Sequence, residues 1–351
     1  MIHYFIKKPK FIISFSFILL LLLASLGYEF LYGGYIWENV SREDASGALI
    51  GPPYTPSQNP PFGTDRVSTP ILAKIIQGAK YTIFTALFIS LLQVCIGFLV
   101  SIFFSRLPKL IQRTFEGIVE SSLYIPITII AYMVIFPLQY YLDPNEDFAN
   151  FYKLYGLQVS ILTLLGIPQL VLLFTKDIQQ NLKEEYILAS KTLGAQGFRL
   201  FRTHIIPYMI PRLILQFSQR TVEVLILLAH LGFLAVFLGG YVMKEVYDGE
   251  MQAFSLSNEW AGEIGKSFRD LMLTPWIIYF PLMFFALTVM SFNMITTSIR
   301  EYIQSPSIMK KKNRNGVHSQ HSDYHSVSEE EEFTFIEKKT ANLNKRRKRP
   351  V

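Results

Sequence analysis

A polar, basic stretch interrupts the apolar runs of this sequence and reads Glu185-Tyr186-Ile187-Leu188-Ala189-Ser190-Lys191-Thr192-Leu193-Gly194, closing at His204-Ile205-Ile206-Pro207. Its composition up to the glycine favours a helix, and its charges require it to leave a membrane. A helix here would put the small residues Ala189, Ser190 and later Gly194 where another chain can approach closely. The stretch therefore predicts a docking surface.

The spacing of small residues resembles a cytoplasmic loop of bacterial binding-protein-dependent ABC importers, in which a small pair and a glycine precede a proline. Ala189-Ser190, Gly194 and Pro207 fit that pattern. The flanking residues look like the dipeptide, oligopeptide and nickel permease branch, in its second, C-type subunit: they are Glu185, Tyr186 and His204. The resemblance implies a short coupling helix that docks in a groove of an ATP-hydrolysing subunit. An ordinary amphipathic connector is the alternative interpretation.

Composition is that of a polytopic membrane protein. Half of the 351 residues are hydrophobic and 17% are charged, with the charges concentrated in a few places. The single cysteine, Cys95, lies inside an apolar run, which excludes a disulfide framework and a thiolate metal site. The net charge of +6 comes from Lys and Arg beside apolar runs and near the C-terminus, so membrane topology explains it better than nucleic-acid binding.

The apolar runs predict an all-α fold with six transmembrane helices, each long enough to cross a hydrocarbon core of about 30 Å. The predicted spans cover approximately residues 11–28, 81–104, 123–140, 157–174, 213–238 and 275–297. Residues 1–31 would form a short cytoplasmic stub and the first span, and residues 32–80 would form an extracytoplasmic segment of irregular backbone. Residues 81–303 would form the permease core, with a coupling loop at 176–212, and residues 304–351 would form a tail. A cleaved signal peptide is the competing interpretation of the first apolar run.

Charges at the ends of the spans give the predicted orientation. Arg106, Lys109 and Arg113 follow the second span, and the coupling loop is strongly basic, whereas residues 143–147 are acidic. The positive-inside rule then places both termini in the cytoplasm of a cell membrane. The tail has too few apolar residues to form a core and predicts disorder, and its basic clusters suit anionic lipid headgroups.

Shorter pieces between Pro61 and Arg300 also resemble the permease branch. They are Pro61 to Asp65, Ile71 to Lys80, Val119-Glu120, Leu231 to Leu234, Glu259 to Gly262, Pro275-Trp276 and Ser291 to Asn293. Asp65 follows a glycine and a threonine, a pattern that indicates a residue in a turn or at the start of a helix. Departures from the family pattern at Ser68 to Pro70, Leu228 and Thr296-Thr297 indicate a divergent member.

Two charged residues, Arg220 and Glu223, fall inside the fifth predicted span. Ionisable residues at membrane depth are costly and indicate a functional role by default. Because the two are three positions apart, they are close enough on a helix to neutralise one another. The alternative is that they face a water-filled translocation path between this subunit and a partner.

One motif predicts chemistry that its context does not support. Gly262 to Ser267 ends like a phosphate-binding loop, but Trp260 stands where the first glycine should be and the pattern predicts no strand before it. No predicted span or loop contains a nucleophile together with a base, or a histidine together with carboxylates that could act in catalysis. We expect no enzyme activity, cofactor or metal in this chain, and ATP bound by partner subunits.

The resemblance implies a type I importer permease that moves peptides, nickel or another small solute into the cell. Its expected partners are a homologous second permease, two ATP-binding subunits, an extracytoplasmic substrate-binding protein and membrane lipid. A divergent, non-transporting membrane scaffold or regulatory subunit is the alternative function. A membrane-embedded enzyme is a weaker one, because its catalytic residues are missing from the pattern.

Overall fold

Helices form most of this chain in the computed structural model, which describes residues 2–6, 8–37, 42–43, 49–57, 60–144, 149–194, 197–246 and 249–304. The chain divides into two units, residues 1–303 and 304–351. Only Gln304 of the second unit is described. The predicted disorder of the tail therefore concerns residues outside the described ones.

Most helices follow one another closely, but long connections separate α2 from α3 and α9 from α10. In chain order they are α1 (Ile2–Phe5), α2 (Pro9–Tyr32), α3 (Ile71–Phe104), α4 (Lys109–Ser122), α5 (Ile127–Tyr141), α6 (Ala149–Asn181), α7 (Glu185–Thr192), α8 (Gly197–Leu200), α9 (Ile206–Phe233), α10 (Trp260–Lys266) and α11 (Trp276–Ile303). Two antiparallel hairpins, which the sequence analysis did not predict, pair β1 (Arg42–Glu43) with β2 (Leu49–Ile50) and β3 (Tyr241–Glu245) with β4 (Met251–Ser255). The mainly helical fold is confirmed.

Four described helices are long and apolar enough to cross a membrane, namely α2, α3, α6 and α11. Helices α4 and α5 pass the same test together, but they are bent by 81° at the break between them. These elements contain most or all of the first, second, third, fourth and sixth predicted spans.

The fifth predicted span falls in α9, which ends at Phe233 rather than at residue 238. Its 28 residues extend over about 42 Å, so α9 is long enough to cross a membrane. It contains the charged residues Arg220 and Glu223 and is not among the four helices that pass the test of length and composition. The total of six spans depends on α9 and stays a prediction.

The prediction of irregular backbone through residue 80 was wrong, because α3 begins at Ile71. Its first turns contain two charged residues, Lys74 and Lys80. Both charges are neutralised inside the fold: Lys80 pairs with Glu29 of α2, and Lys74 pairs with Asp65 just before the helix. A lysine with a fixed carboxylate partner no longer needs bulk water, so the helix continues through both positions.

Four buried charges connect the turn before α3 to α10, and we call them the buried ion cluster: Asp65, Lys74, Glu263 and Lys266. The Lys74 ammonium lies 2.5 Å from Asp65 and 3.4 Å from Glu263, and Lys266 lies 2.9 Å from Glu263. Asp65 also accepts the backbone N–H groups of Val67 and Thr69, which confirms its predicted role in a turn. Burial opposes ionisation of Asp65, but Lys74 and Lys266 outweigh it and hold its pKa below the usual range.

The chain turns sharply after α9, and side chains from three other elements satisfy this turn. Gln139 of α5 accepts the N–H of Phe237 and donates to the carbonyl of Ala235. Gln158 of α6 accepts the N–H of Gly239 and donates to the carbonyl of Phe237. We call Gln139 and Gln158 the amide pair. Irregular backbone among membrane helices persists only where protein groups satisfy it in this way.

Glu259, which precedes α10, completes the same turn by accepting the N–H of Leu238 at 3.0 Å. It also accepts the hydroxyls of Ser255 and Ser257. Burial raises the pKa of Glu259 to about 7, although these hydrogen bonds favour the ionised form. The carboxyl therefore gains a proton near neutral pH.

Helix α10 packs against the end of α9 through two glycines. A Cβ added to Gly232 would lie 2.2 Å from the Ala261 carbonyl oxygen, and one added to Gly265 would lie 2.0 Å from the Gly232 carbonyl oxygen. Neither site has room for a side chain. Gly262 and Gly265, which resemble a phosphate-binding loop, thus lie in a buried helix packed on α9.

Candidate functional site

The stretch that opened the sequence analysis forms the helix predicted for it, α7, from Glu185 to Thr192. Ile187 is fully buried and anchors the inner side. Gly194 follows the helix with φ +87°, a conformation that side chains disfavour, and its N–H bonds to the Lys191 carbonyl. The predicted coupling loop of 176–212 is shorter than expected, since α6 extends to Asn181 and α9 begins at Ile206.

Three of the predicted site residues meet on the inner side of α7: Tyr186, Ser190 and His204. Ser190 Oγ lies 3.3 Å from His204 Nε2 and donates to the Tyr186 carbonyl at 2.9 Å. Because the hydroxyl has one proton, His204 must be the donor in the bond to Ser190 and carry its proton at Nε2. The Tyr186 ring lies 6.1 Å from the His204 ring, and its hydroxyl accepts a hydrogen bond from Asn181.

Pro207 does not end a helix but lies in the first turn of α9. Because proline lacks an N–H, it cannot continue the backbone ladder, and the preceding turn, Phe201–Ile205, widens into a π-helix. Helix α8, the π-turn and α9 follow without a break from Gly197 to Phe233. His204 therefore sits on the same helical run as the charged residues further along α9.

The outer side of this region is a mixed apolar and basic surface. Leu193 is 89% exposed and Leu188 is 49% exposed. The exposed polar, basic and small residues around them are Lys183, Glu185, Ala189, Lys191, Gly194, Arg199 and Arg202. We call this set, with the two leucines, the outer docking surface. Of the predicted site residues, Glu185, Ala189 and Gly194 lie on it.

A second connection, which the sequence analysis missed, joins the end of α6 to the beginning of α9. Arg212 pairs with Asp177 and donates to the Tyr208 hydroxyl at 2.7 Å. The signal available in the sequence was Asp177, one of three acids, with Glu184 and Glu185, in an otherwise basic loop. The connection fixes both helices at the point where the loop leaves them.

Arg220 and Glu223 form the ion pair that their spacing predicted, with 2.7 Å between Nη1 and Oε2. Arg220 also donates to Gln169 of α6 at 3.2 Å. The Arg220 side chain is 14% exposed and that of Glu223 is 57% exposed, so the pair opens towards one side of α9. It lies 13 residues beyond Pro207, about 20 Å along the helix, and does not contact the docking loop.

Residues 93–306 match the family described as binding-protein-dependent transport system inner membrane component. The chain belongs to this family. The matched region includes α7, His204, Pro207 and the Arg220–Glu223 pair. As a member, the chain is a multi-pass membrane permease component of an ABC transporter, with a type I importer fold, and not itself an enzyme. Members of this family work with an ATPase and with other permease subunits.

Curated relatives carry names from peptide transport. The peptide transport system permease protein SapC of Haemophilus influenzae is 24% identical over 277 residues, which cover 78% of this chain and 83% of that protein. The dipeptide transport system permease protein DppC of the same organism is 25% identical over 236 residues, which cover 66% of this chain and 74% of that protein. DppC of Bacillus subtilis is 21% identical over 247 residues, which cover 70% of this chain and 68% of that protein. The resemblance to the peptide branch is thereby confirmed at low identity.

Proposed function

We propose that this permease imports peptides or another small solute, and that a separate ATPase drives it by docking on the outer docking surface. The observation that carries the proposal is the contact of Ser190 on α7 with His204, which lies in the helical run from Gly197 to Phe233. Through this contact, a movement of α7 would be passed to a helix of the membrane region. The peptide cargo is supported by the names of the relatives, while nickel stays an alternative from the branch resemblance.

The outer docking surface has the properties of a protein interface. It combines two exposed leucines with the exposed basic residues Lys183, Lys191 and Arg199, and it contains small residues that permit close approach. Apolar anchors with a charged rim are typical of protein contacts. The matching groove on the ATPase would be apolar at its centre and acidic at its rim.

The Arg220–Glu223 pair is our candidate for the translocation path. Glu223 is more than half exposed although it lies on a helix of the membrane region. An exposed carboxylate in that position requires water or a partner subunit beside it. Both arrangements agree with a path formed between this chain and a second, homologous permease.

The complete assembly would contain that second permease, two ATP-binding subunits and an extracytoplasmic substrate-binding protein. Both termini would lie in the cytoplasm, with a cytoplasmic tail from residue 304. In support, Lys8 lies 2.9 Å from Glu301 near the end of α11, and Tyr4 packs on Tyr302 at 5.1 Å between ring centroids. The first and last described helices thus begin and end on the same side. Ser14 and Ile18 of α2 are buried, which supports retention of this helix as a span.

A pull-down tests the docking assignment. Gly194→Arg places a large side chain at a glycine with φ +87° and open space, on the outer docking surface. Gly249→Arg is the matched control, because Gly249 has φ +79° with its nearest neighbour 4.0 Å away in the β3–β4 hairpin. We expect tagged wild type and the control to retain an ATPase with a phosphate-binding loop, and Gly194→Arg to lose it and solute uptake.

Two outcomes would contradict the proposal. Normal ATPase recovery and uptake with Gly194→Arg would show that docking lies elsewhere. Absence of any ATPase from the folded, membrane-inserted wild type would favour the scaffold function instead.

A further inference from the structure

Helix α4 is amphipathic, and the proposed transport function does not use it. Ile111, Phe115, Ile118 and Val119 recur at the spacing i, i+4, i+7, i+8, which places them on one side of the helix. Polar and charged residues occupy most of the rest of its circumference. A helix of this kind needs an apolar partner along one side and water or charge along the other.

The protein covers only half of the apolar side. Val119 is buried, and the Phe115 ring packs on Phe104 at 4.9 Å between centroids. The other half is open: Leu110 is 77% exposed, Ile111 48% and Ile118 64%. We call Leu110, Ile111 and Ile118 the open face of α4.

Contacts on the polar side hold α4 at the ends of two spanning helices. Gln112 donates to the carbonyls of Phe104 and Leu107, where α3 ends, and it accepts the Gln179 amide of α6 at 2.8 Å. Glu116 pairs with Lys176 of the same helix. Helix α5, which packs along α6 and α9, leaves α4 at 81°. If α5 crosses a membrane, α4 lies nearly in the membrane plane.

Basic residues cluster at the N-terminal half of α4. Arg106, Lys109 and Arg113 are all exposed. Of the acids on the helix, Glu116 is paired with Lys176, and Glu120 lies in the last turn. The cluster is therefore positive where the open face begins.

We propose that α4 lies in the lipid interface of the cytoplasmic leaflet, in the topology proposed above. The open face inserts among the upper acyl chains, and Arg106, Lys109 and Arg113 bind the phosphates of anionic headgroups. An in-plane helix with apolar residues on one side and Lys or Arg at the polar boundary binds membranes in this way. Negative surface charge on the cytoplasmic leaflet attracts such basic residues.

Fluorescence quenching tests the position of the open face. The transporter is assembled in nanodiscs of phosphatidylcholine and phosphatidylglycerol, with Cys95→Ser as background, and a fluorophore is attached at Leu110→Cys or Ile118→Cys. Leu193→Cys, on the outer docking surface, is the control. We expect spin-labelled lipid to quench positions 110 and 118 and aqueous iodide to leave them unchanged, with the reverse at 193 when no ATPase is bound.

Two results would overturn the lipid assignment. Quenching of 110 and 118 by iodide would place the open face in water. Protection from both quenchers would place a protein partner on it, such as the second permease. Neither result depends on ATPase docking, so failure here leaves the proposed function untouched.

The headgroup contacts are tested separately with Arg106→Gln, Lys109→Gln and Arg113→Gln. Each is expected to weaken retention of phosphatidylglycerol over phosphatidylcholine about fivefold, measured by native mass spectrometry. Lys183→Gln, at a basic and exposed residue of the docking loop, is the control and should leave the lipid preference unchanged. Unchanged lipid preference in all three variants would refute the headgroup contact, as would displacement of the lipid by inorganic phosphate alone.

Discussion

The bond between Ser190 and His204 gives a quantitative test of how α7 is held. Helix α7 has eight residues, too few to be stable by itself. Burial of Ile187, the hydrogen bond from Asn181 to Tyr186 and the bond between Ser190 and His204 hold it in place, and the last of these connects it to the helical run of α9. Ser190→Ala and His204→Phe each remove the bond, and the phenylalanine keeps a ring beside Tyr186.

The expected cost follows from the length and burial of the bond. At 3.3 Å and partly buried, it should contribute about 1 kcal/mol. Loss of that amount raises the locally open population of α7 about fivefold, and amide exchange rises by the same factor. Solute moved per ATP hydrolysed should fall, since an opened α7 cannot transmit force to α9.

Hydrogen exchange read by mass spectrometry on peptides covering α7 measures the effect. Thr192→Ala is the matched control, because the Thr192 hydroxyl bonds only to the Ala189 carbonyl within the same helix. The double variant should cost no more than either single variant, because both remove one shared bond. Unchanged exchange in both single variants, or fully additive effects in the double variant, would refute the reasoning.

Three further predictions concern charged or ionisable residues. Lys74→Met leaves Asp65 and Glu263 short of a counter-charge and should lower the free energy of unfolding in detergent by about 3–5 kcal/mol, with partial recovery on adding Asp65→Asn. The folded pKa of Glu259 is about 7 against an ordinary 4.5, so between these pH values the folded state binds more protons than the unfolded state, and the free energy of unfolding should fall as pH rises from 4.5 to 7. In Glu259→Gln this fall should be smaller. A pH profile identical to that of the wild type would contradict the prediction. Glu223→Gln removes the charged partner of Arg220 and should lower the free energy of unfolding by about 1 kcal/mol. Solute uptake should fall by more than the loss of folded protein explains. Normal uptake in a folded variant would exclude the pair from the translocation path.

The elements that the sequence predicted best are those whose signal is local. Apolar runs located the spanning helices, and the small residues with Gly194 located α7, because each depends on neighbouring residues alone. The Arg220–Glu223 pair was predicted for the same reason, since its residues are three apart on one helix. Their functional roles stay predictions.

The features that sequence reasoning missed depend on distant partners. Lys74 and Lys80 lie in the stretch that was predicted to be irregular, and their carboxylate partners lie on other segments. The contact of Arg212 with Asp177 joins residues 35 positions apart. In each case a charge that looks solvated in the sequence is neutralised only after the chain has folded.

The amide pair has a consequence for the order in which this protein is synthesised. Gln139 and Gln158 enter the membrane on α5 and α6, but their backbone partners at 235–239 are translated about eighty to a hundred residues later. Until then, two polar amides stand among apolar helices without the groups that satisfy them. We therefore expect a nascent chain stopped before α9 to be recognised by insertases and quality-control proteases, and synthesis of the turn after α9 to end that recognition.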